Sequence, residues 1–407
     1  MMNEINSCEV CGGKTLSPVL ELGNHPMCDD LISIGSEILS KEYPISILFC
    51  NECKTAHQKY QVPKVELFPS SYHYRSRFTA DVLNGMKGLV ADCEKEYGPL
   101  RGKLVLDIGC NDGSLLNFFA ENGARTIGIE PTDACLDAMK NGHAVYKDYF
   151  SVGVAEEIRL KYGAPDIITF TNVFAHIENL GSVLDALKVL AGKNTALVIE
   201  NHYLGSVLSG FQFDTFYHEH PRTYSYSSFK YIAKSLDMYV NSVVFPSRYG
   251  GNIRVSMSVD AKLAQERAFS ENELLQAEAQ FQSKFAFMRN YINIWKQEKL
   301  TEMEGLVQKW GALPAKAFPG RAAILVKLLG LTEEHVSAVY EKVGSLKIGY
   351  YVPGTRIPIK SEAELVLSGV PILNFAWHIS SEICEYMRNL GYEGEVVDIL
   401  RPPVPVK

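Results

Sequence analysis

Val105-Leu106-Asp107-Ile108-Gly109-Cys110-Asn111-Asp112-Gly113 runs from an apolar stretch into a glycine-rich turn. Lys103 to Ile108 reads as a short buried strand, and Ser114 to Glu121 as the helix that follows. The glycines let the backbone approach a ligand closely, and the helix start adds unpaired N–H donors beside them. The spacing is G-x-x-x-G, without the G-x-G-x-x-G geometry that seats a pyrophosphate. Further on, Ile127-Gly128-Ile129-Glu130 closes a second predicted strand, Thr126 to Glu130, on an acid. Asp166 to Thr171 and Thr195 to Glu200 are two more. Strands alternating with helical stretches predict an α/β fold with a doubly wound parallel sheet.

Outward from this core, the chain divides into three parts. Residues 67–260 hold the alternating pattern, preceded by a helix over Phe78 to Tyr97 with Val82, Met86, Leu89 and Val90 at helical spacing. Residues 1–66 have a character of their own, with two Cys pairs and turn residues between them. Residues 261–407 open with a charged, glutamine-rich stretch, Ala261 to Met303, read as long helices bridging two domains. Alternation then resumes, with a helix over Ala323 to Leu329, strands over Lys347 to Val352 and Val370 to Leu373, a helix over Ser381 to Leu390 and a strand over Glu395 to Asp398. That is a second, smaller α/β domain.

The 407 residues carry a net charge of -7. Without basic excess, nothing favours a nucleic-acid partner. Met1 to Ser7 is polar and is no signal peptide. No apolar run reaches the length of a membrane span, so the cytoplasm is the expected compartment. Cys8-x-x-Cys11 and Cys50-x-x-Cys53 are two knuckles that together complete a tetrahedral Cys₄ shell for structural Zn²⁺, with no open position for catalysis. His25 and Cys28, between the pairs, read as loop residues.

The sequence strand, D-x-G-x-x-x-G, strand, Glu closely resembles the class I methyltransferases, whose cofactor is S-adenosylmethionine. A carboxylate at the end of the second strand can take both ribose hydroxyls. On that resemblance Asp107, Gly109 and Gly113 border the methionine half of the cofactor, with Asn111 in the same turn. Glu130 holds the ribose, Asp148 accepts from the adenine amine, and Asn172 lies at the mouth of the site. His176 follows, either packed or functional.

Asp214-Thr215-Phe216-Tyr217-His218-Glu219-His220 ends in four groups able to act as acid, base or charge stabiliser. A second metal is the competing reading, but alternation along a strand would let only His218 and His220, or Tyr217 and Glu219, share a face. Tyr217-His218-Glu219-His220 matches the Y-H-E-H motif of sugar C-methyltransferases acting on thymidine-diphosphate-linked 4-keto deoxysugars. Agreement continues through the Cys pairs, Tyr72-x-Tyr74-x-Ser76, Arg248-x-Gly250-Gly251-Asn252-x-Arg254 and Pro353-Gly354-Thr355-Arg356-Ile357-Pro358-Ile359. Departures are Pro221-Arg222-Thr223-Tyr224 in place of Leu-Ser-Tyr-Phe, Arg356 in place of His, and Tyr249 and Asn252 flanking the double glycine. The resemblance makes His220 the base and Glu219 its polarising neighbour, with the hydroxyls of Tyr217 and of Tyr72 or Tyr74 facing an enolate oxygen. It implies a C-terminal domain that helps hold the nucleotide-sugar, and a monomer or weak dimer. Arg248, Asn252, Arg254 and Arg356 are the substrate-binding candidates, with Lys327 and Lys360 as further cations. Methylation at C5, epimerisation by the same base and a non-enzymatic scaffold are the alternatives.

Overall fold

The computed structural model describes residues 2–68, 75–78, 80–260 and 270–402. The N-terminal part forms five strands, β1 (Asn3–Glu4), β2 (Leu16–Pro26), β3 (Glu42–Cys50), β4 (Ala56–Gln58) and β5 (Tyr60–Gln61). β2, β3 and β4 pair antiparallel. β3 is buried along most of its length, because a 30-residue helix, Phe281–Trp310, lies against this sheet and stacks Phe285 on Phe49.

The central domain supplies β6 (Leu104–Ile108), β7 (Arg125–Ile129), β8 (Ala144–Tyr146), β9 (Ile167–Thr171) and β10 (Ala196–His202). After these come the two-residue strand β11 (Arg222–Thr223), then β12 (Tyr239–Val244) and β13 (Asn252–Ser258). Seven of them make one sheet in the order β12-β13-β10-β9-β6-β7-β8. β13 runs antiparallel to both neighbours, and β6 to β10 are mutually parallel. The buried apolar runs expected at Lys103, Thr126, Asp166 and Thr195 are these parallel strands, covered on both faces as such sheets are. The turn after β6 needs its glycines for packing. Gly109 and Gly113 sit at φ +75° and +81°, and a Cβ there would lie 2.4 Å from Val173 Cγ2 and 2.8 Å from Ala138 Cβ.

β11 does not join the central sheet. It pairs antiparallel with β4, Arg222 opposite His57 and Thr223 opposite Ala56, making the edge of the N-terminal sheet in the order β11-β4-β3-β2. The expected 1–66 unit is therefore completed by a strand from the middle of the chain.

Helices Glu271–Ala279 and Phe281–Trp310 lead to the last domain. Its strands β14 (Leu313–Lys316), β15 (Val336–Glu341), β16 (Ile359–Ser361), β17 (Ile372–Asn374) and β18 (Val396–Asp398) form a parallel sheet in the order β16-β15-β14-β17-β18. Helices Ala322–Leu329 and Ser380–Asn389 match expectation. The strand expected over Lys347 to Val352 is absent. Gly349 takes φ +91°, and only isolated bridges form there, Tyr350 with Ser33 and Tyr351 with Pro358. Along the long helix Phe281, Phe285, Met288, Ile292, Trp295 and Met303 make one buried stripe. From this helix Trp295 Nε1 donates to Ile399 O (3.0 Å) and Arg289 donates to Val19 O (3.0 Å).

Three residues expected at the substrate lie in this framework instead. Glu200, fully buried on β10, accepts from Arg248 Nε, from Arg254 Nε (2.7 Å) and from Asn252 Nδ2 (2.9 Å). Arg254 also pairs with Asp92, and Gly85 leaves the space that the Arg248 guanidinium fills. Burial alone would raise the Glu200 carboxyl, but the two guanidiniums outweigh it and hold it below the usual range. These side chains are thus engaged in joining β10, β13 and helix Ala80–Tyr97. Removing one partner of a buried pair strands the others. Glu200→Ala is expected to cost about 3–5 kcal/mol, read as an earlier urea transition of the central domain.

Candidate active site

The four cysteine sulfurs come together as the spacing predicted. One Sγ from each of Cys8, Cys11, Cys50 and Cys53 lies within 4.8 Å of every other, with Cys8–Cys53 at 3.4 Å and Cys11–Cys50 at 3.6 Å. Tetrahedral zinc with Zn–S bonds of 2.3 Å requires sulfurs about 3.8 Å apart, so the residues fit the ion. No second such cluster occurs among the described residues.

At the carboxyl ends of the central strands, Asn111 (φ 50°) and Asn172 (φ 54°) join Gly109 and Gly113 in left-handed conformations. Glu130 is buried at the end of β7, its Oε2 accepting from Asn111 N (3.2 Å) and its Oε1 from Thr132 N (2.9 Å). The second-strand acid thus meets the glycine turn. Asp107 is buried and accepts from Thr169 Oγ1 (2.7 Å); burial, with Glu130 nearby, pushes its carboxyl up to about 7. Asp148 is exposed and accepts from its own neighbour, Tyr149 N (2.7 Å). Tyr72 and Tyr74 lie outside the described residues. Just beyond them, Ser76 N donates to Asn111 Oδ1 (3.1 Å) and Arg77 N to Asp112 Oδ2 (3.0 Å), so this segment docks on the glycine turn.

Tyr217-His218-Glu219-His220 is a turn, not a strand, with His220 N donating to Tyr217 O (2.9 Å). Alternation therefore does not govern it. The turn stacks the rings of Tyr217 and His220 at 4.1 Å. It sends His218 away to bond Tyr43 O (3.1 Å) in the N-terminal sheet. His176 and His202 lie 4.8 and 5.1 Å from the His220 ring. His176 is partly buried and donates from Nδ1 to Glu219 O (2.6 Å), which settles its place within this cluster. His220 donates from Nδ1 to Thr215 O (3.1 Å), and its Nε2 makes no hydrogen bond among the described residues. The proton on Nδ1 leaves Nε2 as the bare nitrogen.

All three domains contribute walls. Gly320, before helix Ala322–Leu329, lets that turn approach Cys28 and Asp29; a Cβ there would sit 3.3 Å from each. Cys28, read as a loop residue, is buried, as is His25, which donates to Leu22 O (2.9 Å). From the last domain, Arg321 Nε donates to Asp214 Oδ2 (2.9 Å), and Trp377 Nε1 donates to the same oxygen (2.8 Å). Asp214, Arg321, His202 and Trp377 escaped the sequence reading, although Asp214 opens the quoted motif. Arg356 is turned elsewhere, donating to Ser36 O (2.6 Å) and tying the last domain to the N-terminal one.

Burial dominates the electrostatics. It pushes Glu219 up to about 8, with Asp29 adding to it, and Glu219 Oε2 has no hydrogen-bond partner among the described residues. It holds His220 well below 6.5, with His176 and His202 adding to the effect. It brings His202 and His378 down to about 3 and His218 to about 4. Below pH 6.5 the unfolded chain binds protons that these folded imidazoles refuse, so their contribution to stability falls as pH falls. His202, His218 and His378 each withdraw roughly 1 kcal/mol between pH 7 and 5.5, while Glu219 and Asp107, protonated in the fold, act in the opposite sense. In calorimetry, His378→Phe should therefore remove roughly 1 kcal/mol of acid destabilisation over that range.

Three family models match successive parts of the chain: "Putative zinc binding domain" over residues 8–68, "Methyltransferase domain" over 79–243 and "C-methyltransferase C-terminal domain" over 247–399. The C-methyltransferase NovU of Streptomyces niveus is 26% identical over 405 residues, spanning 96% of this chain and 95% of that protein. A ubiquinone biosynthesis O-methyltransferase of Acinetobacter baylyi is 30% identical over 102 residues, 24% of this chain and 42% of its own. Among solved structures, the magnesium protoporphyrin IX methyltransferase of Synechocystis with bound SAM covers 44% of this chain and 79% of its own, at 16% identity and TM-score 0.33. No helix among the described residues is long and apolar enough to cross a membrane. A zinc-binding Cys₄ module, a methyltransferase domain and a C-methyltransferase C-terminal domain thus follow one another along the chain, the make-up of an S-adenosylmethionine-dependent C-methyltransferase.

Proposed function

We propose that this enzyme methylates the carbon beside the ketone of a nucleotide-linked 4-keto deoxysugar, at C3, with His220 as the base. The observation that carries the reading is the His220 imidazole. Its Nδ1–H is committed to Thr215 O, which leaves Nε2 as the unprotonated ring nitrogen, without a hydrogen-bond partner among the described residues and so placed to take a proton from substrate. A sugar C–H loses a proton at useful rates only when a neighbouring carbonyl can take the charge, which is why the ketone belongs in the substrate. Tyr217, whose hydroxyl burial keeps protonated, lies against His220 as a donor to the enolate oxygen. Glu219, held protonated at neutral pH, is a second donor beside it. Tyr72 and Tyr74 keep their proposed role as further donors. Arg321, oriented by Asp214 and Trp377, brings a cation of the last domain within electrostatic reach of His220; Asp214 and Thr215 are adjacent and hold Arg321 and His220 respectively.

S-adenosylmethionine, when bound, supplies the methyl group. Asp107, Gly109, Asn111, Gly113, Glu130 and Asn172 are the residues proposed to hold it, with Asp148 at the adenine. Thymidine diphosphate is the proposed carrier, by likeness to the ketosugar enzymes. A cytoplasmic monomer or weak dimer completes the reading.

Proton exchange tests it. In D₂O with a thymidine-diphosphate 4-keto-6-deoxysugar, deuterium should enter at C3, and with S-adenosylmethionine one methyl should be gained there. Exchange at C5, or exchange without methyl gain, would favour C5 methylation or epimerisation. No exchange across a panel of keto sugars would overturn the reading. His220→Asn should remain folded and bind S-adenosylmethionine while turnover falls at least about 10²-fold; near-normal turnover would remove His220 as the base.

A further inference from the structure

Arg222 is the second residue after His220, and it is completely buried. A buried guanidinium needs partners. Its Nη1 lies 2.7 Å from Glu9 Oε2, its Nε donates to Tyr224 OH (3.0 Å), and its Nη2 points at Glu178 O (3.4 Å). Glu9 sits inside the first zinc knuckle, between Cys8 and Cys11. The same Glu9 oxygen is 3.5 Å from His57 Nδ1, and His57 Nε2 is 3.3 Å from Cys8 Sγ. A continuous polar chain therefore runs Cys8, His57, Glu9, Arg222, and reaches the peptide that carries His220.

The backbone follows the same route. Gln58 N donates to Pro221 O (2.8 Å), and Gln58 Nε2 to Tyr217 O (3.3 Å). On the far side of Arg222, Ser225 Oγ and Ser228 Oγ both donate to Cys53 O (3.2 Å each) in the second knuckle. The turn bearing Tyr217 to His220 is thus fastened to both halves of the metal centre.

We propose that Arg222 is a positioning residue for catalysis, coupling the zinc centre to the His220 turn through Glu9 and His57. The proposal rests on His220 as the base. Groups that orient metal ligands commonly change metal affinity 10–100-fold when lost, and a misplacement of about 1 Å at a reacting group can cost 10²-fold in rate. One residue joined to both should move both readouts.

The test uses zinc-loaded, full-length enzyme. Glu9→Gln/Arg222→Leu removes both charges together, so that no lone buried charge remains. Arg222→Lys keeps both charges but not the fork, and serves if the double variant does not fold. Three quantities are read: zinc affinity by competition with a chromogenic chelator, the rate at which diethyl pyrocarbonate modifies His220 without substrate, and kcat and KM. The double variant is expected to bind zinc about 10–100-fold more weakly. At saturating zinc its His220 should react faster, and kcat should fall about 10–100-fold with KM unchanged; Arg222→Lys should lie between. Wild-type zinc affinity and His220 reactivity in either folded variant would overturn the proposal. If the wild-type enzyme transfers no methyl group to any keto sugar, the base assignment fails instead, and the first two readouts still decide the coupling.

Discussion

The backbone hydrogen bond from Gln58 N to the carbonyl of Pro221 anchors the segment that carries His220 to the N-terminal sheet. It begins the ladder in which Arg222 and Thr223 close the N-terminal sheet. The turn from Tyr217 to His220 enters it, and the capped helix Tyr226–Ser235 leaves it. Because a two-residue strand has few bonds of its own, it stays in register only while the sheet behind it is rigid. The Cys₄ knuckles bring the hairpin end at Cys50 and Cys53 beside the loop at Cys8 and Cys11, where a bound zinc would tie the two together.

Low dielectric then does the chemical work. Several histidines with depressed basicity stand near acids with raised ones, and both effects come chiefly from burial. The site therefore holds few net charges at neutral pH. Arg321 and Asp214, paired across the boundary between the central and last domains, are the main exceptions, and they cancel each other locally. A reaction that creates a negative oxygen in such surroundings feels every donor strongly. This is a different arrangement from Glu200, where two guanidiniums and an amide satisfy the carboxylate.

The parts legible in the sequence were those written in local patterns. Parallel strands buried on both faces give short apolar runs, and β6 to β10 stand out for that reason. The Cys pairs show a metal through spacing alone. Helix Ser114–Glu121 has the bounds that its periodicity predicts. Other parts depend on contacts that no local pattern records. Tyr217 to His220 contains residues that read equally as strand or turn, and only the bond from His220 N to Tyr217 O decides between them. The basic side chains around the double glycine looked available for a phosphate, yet their partner, Glu200, lies about fifty residues away and is hidden inside a strand. Arg321 and Trp377 reach Asp214 from more than a hundred residues off.

Strand β11 has a consequence for how such a protein can be rearranged. Segments that look separable in linear order are interlocked, since the first sheet borrows its border from a stretch more than 150 residues downstream. A graft that exchanged only residues 1–66 with a relative would mate a foreign β4 to this border and a foreign Glu9 position to this Arg222. A fragment ending at residue 66 would leave β4 with open hydrogen-bonding groups, a surface prone to self-association. Recombination within this architecture has to carry the metal knuckles and the stretch from Tyr217 to Ser228 as a linked pair, and that linkage constrains how the two can diverge.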